Sequence, residues 1–229
     1  MMFRSTRNLA AATVAVVALT SVAIGSVSAG RSDLDAARAA TGRFHSLSVA
    51  QHAGYGRPPA PAPLHECISN GSQGAMGFHF IKGDLLDLTV EPTKPEALVY
   101  APDKHGKMKL AALEYVVFKA PWDAMHAQDP ANFPEMPTLF GQDFMEVPAV
   151  PGNNGNTIFD IPPFYMLHVW IWNSNPSGLF NPWNPSVSCA GASAAAGSGA
   201  STVAAAPANT TLAAADVARF ACRVPGTTA

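Results

Sequence analysis

Charge is what this chain has least of. Only 13% of its 229 residues are Asp, Glu, Lys or Arg, and 14 basic side chains are offset by 16 acidic ones. No basic stripe or cluster stands out, and a net charge of −2 gives no long-range attraction for a polyanion, so nucleic acid is not expected as a partner. Neither HExxH nor CxxC occurs, which removes the usual local zinc signatures. After the first 24 residues no apolar run approaches the ~20 residues of a bilayer span, so no membrane span is expected in the mature chain. Cysteine is scarce too, with three in all.

What the chain does have begins at its N-terminus. Arg4 and Arg7 precede an apolar run from Leu9 to Ile24, and Val27, Ser28 and Ala29 supply the small-residue pattern of a signal-peptidase site. Residues 1–29 are therefore expected to be a signal peptide, and the mature protein to be secreted or held in the cell envelope. In an exported chain three cysteines imply one disulfide and one thiol left over. Cys67 and Cys189 bracket the β-prone region whereas Cys222 lies beyond it, so the expected bridge is Cys67–Cys189. Residues 190–229 are rich in Ala, Gly and Ser, with too few large apolar groups to offset the entropy of ordering, and read as a flexible C-terminal tail. That leaves 30–189 as a single domain.

Within the domain, Leu34, Ala37, Ala40, Phe44, Leu47 and Ala50 keep a three-four spacing, which predicts a helix capped at Ser32 or Asp33, weakened at Gly42 and ended by Gly54. Four prolines between 58 and 63 form a spacer. Met76–Ile81 alternates as a strand. Residues 97–101 and 108–118 read as a hairpin around Pro102 and Gly106. Residues 119–164 show no sustained period and read as a long irregular excursion acting as a lid. Tyr165–Trp172 alternates again, and the turn-rich run from Asn173 ends it. These elements predict an α+β fold, an N-terminal helix packed on a mainly antiparallel β-sheet or small β-barrel.

Alternation also sorts the side chains. His79, Glu114 and His168 are each expected inside a strand, and two imidazoles with one carboxylate are a donor set for catalytic zinc or non-haem iron. The three are the candidate ligands of one divalent transition metal, with catalytic residues undefined. A different class of function is open: Trp170, Trp172 and Trp183 offer rigid aromatic area for a sugar, an apolar small molecule or an envelope ligand. A structural envelope protein without a site is the third.

The order of segments, RFHSL and AGYG, then MGFH, then PEALVY and LEYVVF, then LHVWIW and NPSGLFNPWNPSVSC, resembles a family of uncharacterised exported bacterial proteins. The resemblance covers roughly residues 36–189 and implies export, but no activity. The His-x-His pair of the first cupin motif is absent, since Gly77 stands two before His79, and no cupin ligand set is carried over.

Intact and reduced peptide masses of the exported protein should show a chain beginning at Gly30 with Cys67 joined to Cys189. Cutting after Cys189 should leave the thermal midpoint nearly unchanged. A bridge to Cys222, or a large fall in midpoint, would contradict an independent tail.

Overall fold

A computed structural model describes residues 22–58, 62, 64–151 and 160–190, with side chains from Gly30 onward. The expected tail lies outside the described residues, as do most of the expected signal segment and part of the proline spacer. The fold is α+β: a helical N-terminal layer on a curled, six-stranded antiparallel sheet that forms a half-barrel. Among the described residues no helix is long and apolar enough to cross a membrane.

Helix α1 runs Val22–Thr41, a 3₁₀ turn follows over Gly42–His45, and α2 spans Leu47–His52. The break falls where Gly42 weakens the pattern. Thr41 Oγ1 there turns back to donate to the carbonyl of Ala37 at 2.7 Å. The three-four spacing does the expected work, burying Ala37, Phe44 and Ala50 against the sheet. The helix starts well before the expected Ser32 or Asp33 cap, so the Ala29–Gly30 junction lies within helical backbone.

The strands are β1 Ile68–Ser69, β2 Ala75–Ile81, β3 Ala97–Pro102, β4 Met108–Phe118, β5 Thr138–Leu139, β6 Gln142–Asp143, β7 Met145–Val147 and β8 Phe164–Val169. The main sheet has the order β1-β2-β3-β4-β8-β7, and β5 pairs with β6 alone. The β3–β4 hairpin is closed by Asp103, whose Oδ1 accepts from the backbone N–H groups of His105 and Lys107 at 2.9 and 3.0 Å. One sheet face, carrying Leu98, Tyr100, Leu113 and Leu167, packs with the helices into the main core. The opposite face is lined by small residues, Ala97, Val99, Ala101 and Ala112, and carries the polar groups described below.

The excursion 119–164 is more regular than its sequence suggests. Helix α3 spans Lys119–Gln128. Its Pro121 sits in the first turn, where backbone N–H groups have no intrahelical acceptor. It buries Trp122 alone, hence the missing period. Trp122 packs edge-on against Phe133 and Phe144 is buried beside them in the main core, so this part of the excursion closes the helical face. The β5–β6 turn places Phe140 and Gly141 at φ 55° and 73°, the positive values a two-residue hairpin turn of this hand demands. Phe140 holds that conformation with its ring buried against Tyr115.

The Cys67–Cys189 bridge is present, with Cα atoms 5.7 Å apart and 122 residues between them in sequence. A closed loop of this length stabilises by about 5 kcal/mol on the chain-entropy argument.

Glu96 precedes β3 and is 2% exposed. Its Oε2 accepts the N–H of Val116 at 3.0 Å, extending the β4 ladder beyond the last β3 pair, Ala97 with Glu114. Burial pushes the Glu96 carboxyl up from 4.5 to about 8, the backbone N–H donors counter this, and Asp87 and Glu114 add to the rise. The folded state therefore binds this proton more tightly than the unfolded chain. Its contribution to stability is full below about pH 4.5 and is lost as pH rises through about 8. Glu96→Gln keeps an acceptor for Val116 and removes the titration, so the thermal midpoint of the native protein should fall relative to the variant across that window. Parallel midpoint curves would contradict it.

Candidate functional site

The second sheet face gathers three polar side chains from three strands. In the β4–β8 ladder Glu114 stands directly opposite His168. Across β3, His79 pairs with Val99, Val99 with Ala112, and Ala97 with Glu114. His79 and Glu114 are thus two strand spacings apart, about 10 Å between backbones. Their side chains can lean together because β3 puts only Ala97 and Val99 between them. His79 Nε2 lies 3.1 Å from Glu114 Oε2. The rings of His79 and His168 are 6.3 Å apart between centroids. His79 and His168 are each 1% exposed and Glu114 6%.

Backbone detail fixes His79. Gly77, two residues earlier, has φ 115°, and a Cβ there would lie 2.6 Å from the carbonyl oxygen of Tyr100. The missing side chain lets β2 approach β3 closely at the turn of strand that aims His79, as a glycine in a strand interior commonly signals.

The electrostatics follow from burial. Burial pushes the Glu114 carboxyl up, but His79, by charge and hydrogen bond, and then His168 outweigh it and hold the group below its ordinary range. Burial pushes His168 down to about 4, Glu114 opposes this and His79 adds to it. His168 is accordingly a neutral imidazole at physiological pH. A neutral ring has one N–H to donate and one lone pair to offer. Yet among the described residues neither His168 Nδ1, His168 Nε2 nor His79 Nδ1 has a hydrogen-bond partner. Each such orphan costs about 1–3 kcal/mol when desolvated.

Although His79 and Glu114 already touch, no three His, Cys, Asp or Glu groups among the described residues stand in a metal-holding arrangement. The three expected ligands share a face and a burial environment, with His168 set back from the other two. His168 packs against Trp170 in a tilted contact, with ring centroids 4.7 Å apart and planes at 41°.

The three tryptophans do not form one platform. Trp170 is 3% exposed, and its Nε1 donates to the carbonyl of Asn181 at 2.7 Å. Trp172 does not share a face with His168 and Trp170, as strict alternation would have it. β8 stops at Val169, where Ile171 N bonds back to Val169 O and both Trp172 N and Asn173 N bond to Ala111 O. Trp172 then turns to the helical side, donating from Nε1 to Thr41 Oγ1 at 3.3 Å and meeting His45 edge-on. Trp183 is half-buried and packs on Met76 and Met166.

What covers the site is the turn-rich run that follows Trp172. Residues 173–189 form a strap. Trp183 lies on the cluster of Met76 and Met166, while Val187 and Cys189 lie on the cluster of Ala75, Val99 and Trp170. His168 falls between Met166 and Trp170 along β8, so the strap straddles it. Asn184, fully buried, pins the strap: its backbone pairs with Ala75, and its Nδ2 donates to Ser174 O at 3.1 Å. The strap shares this face with part of the 119–164 excursion, since Val147, Val150 and Ile161 pack with Trp183 on the cluster of Met76 and Met166. Asn184 and Glu96 were invisible beforehand. The repeated Asn-Pro pairs, Asn175-Pro176, Asn181-Pro182 and Asn184-Pro185, were the available signal for the first; for the second there was none.

Glu114→Ala leaves His79 and His168 buried without the carboxylate that faces them, and should lower the unfolding free energy by about 3–5 kcal/mol, read by urea titration. A loss under about 1 kcal/mol, the scale of an exposed pair, would contradict a buried one.

No family model, curated protein or solved structure matches this chain.

Proposed function

We propose that the chain is an exported protein whose function rests on one divalent transition metal held by His79, Glu114 and His168. The observation that carries this is the set of three buried imidazole nitrogens without partners among the described residues, grouped around a single ionised carboxylate. Buried polar atoms are rarely left unanswered, and two neutral imidazoles with a carboxylate are the donor types that zinc and iron prefer. His168 is neutral and makes no hydrogen bond that turning its ring would break, so swinging towards Glu114 disturbs packing, the tilted contact with Trp170 included, rather than a polar partner. His79 and His168 would hold the metal through ring nitrogens and Glu114 through its carboxylate, the donor forms that ligation requires. A metal so held supplies Lewis acidity or an open coordination position for a small ligand. Export is supported by the N-terminal charge and apolar pattern and by the Cys67–Cys189 bridge, a bond favoured in oxidising compartments.

Elemental analysis of untagged protein, with thermal midpoints measured on adding zinc, iron(II) or copper(II), tests the reading. One equivalent of metal and a raised midpoint are expected, both lost in His79→Ala and His168→Ala. No bound metal and no shift would overturn it and return attention to Trp183 as part of an aromatic binding surface.

A further inference from the structure

We infer that the strap 173–189 is a cover over the His79, Glu114 and His168 centre that thiol–disulfide exchange at Cys67–Cys189 fastens and releases. The inference rests on the metal reading above and names the control of that same site. The strap is tied to the sheet at five places, the first being Asn173 N, which donates to Ala111 O of β4 at 3.0 Å. Asn184 pairs with Ala75 through two backbone bonds of 3.1 and 3.2 Å. Leu179 O accepts from Trp170 N at 2.9 Å. Asn181 O accepts from Trp170 Nε1 at 2.7 Å. The last tie, and the single covalent one, is the disulfide at the strap's end.

The ties converge on the centre. Trp170 carries two of them, and its ring is what His168 rests on. Moving the strap therefore frees Trp170, whose ring lies nearer to His168 than that of His79, at 4.7 Å against 6.3 Å between centroids. Val187, two residues before Cys189, is buried on Ala75, Val99 and Trp170 and closes the same face. Both cysteines are half-buried rather than sealed in, so a dithiol can reach them. Gly74 shows how tightly the strap is seated: a Cβ there would lie 2.0 Å from the carbonyl oxygen of Asn184.

The chemistry balances with one partner, a dithiol. Its thiolate attacks one sulfur of the bridge, the second thiol resolves the mixed disulfide, and two electrons and two protons pass to Cys67 and Cys189 while the partner becomes a disulfide. In the dithiol form the strap lifts and metal exchanges. In the disulfide form it is closed over the centre.

Zinc release into a chromophoric chelator tests this in the full chain carrying Cys222→Ser, so that no further thiol competes. Release should be at least about tenfold slower from the disulfide form than after phosphine reduction, the off-rate being where such differences fall. Cys67→Ser with Cys189→Ser, which cannot bind zinc through these positions, should match the reduced rate. Hydrogen exchange on the reduced protein should rise over 173–189 while β3 and β4 stay protected. Zinc held in all forms but released at one rate would overturn the inference and leave the metal reading standing. So would exchange rising uniformly, which would make the bridge a support of the whole fold. Zinc held in no form would overturn both.

Discussion

A carboxylate buried between two imidazoles must be answered by charge or hydrogen bond within a few ångströms, and much of this structure is arranged around that demand. Glu114 is answered by His79 at 3.1 Å. That contact exists only because Ala97 and Val99 are small enough for two side chains from non-adjacent strands to meet above β3. A leucine at Ala97 would force them apart and leave a desolvated carboxylate, the costliest group to bury alone. The antiparallel ladder sets His168 directly opposite Glu114, so the centre is a product of register as much as of residue choice.

The two faces of the sheet divide the labour. One is conventional core, with α1, α2 and α3 laid against tyrosines and leucines. Tyr55, Tyr100 and Tyr115 send their hydroxyls to carbonyls at Pro95, Phe44 and Pro92, so that face carries polar tips without orphans. The other face has small residues and unanswered imidazole nitrogens, and is roofed by chain without regular structure. Loop backbone makes a poor hydrophobic cover, but asparagine side chains and a disulfide hold it in register where a helix would have needed an apolar stripe.

How much of this the sequence carried depends on the range of the information. Period-two alternation placed His79, Glu114 and His168 each inside a strand, and the Pro102–Gly106 punctuation gave the β3–β4 hairpin, because both are local. The disulfide followed from where Cys67 and Cys189 stand relative to the strands. That β8 lies beside β4 and β2 beside β3 is a long-range choice, and no residue pattern announced it. Trp172 was misplaced because alternation was extended past Val169, where the β4–β8 ladder ends and the N–H groups of Trp172 and Asn173 both turn to the Ala111 carbonyl. Helix α3 was missed because a single buried residue, Trp122, leaves no stripe to read.

X-ray absorption at the metal edge of zinc-loaded protein tests the central claim most directly, because it reports the donors themselves. The account predicts a shell with two imidazole nitrogens at about 2.0–2.1 Å and oxygen from Glu114 at about 2.0–2.2 Å, with the imidazole multiple-scattering pattern halved in His168→Ala. An all-oxygen shell, or a spectrum unchanged by removing His79 or His168, would contradict it.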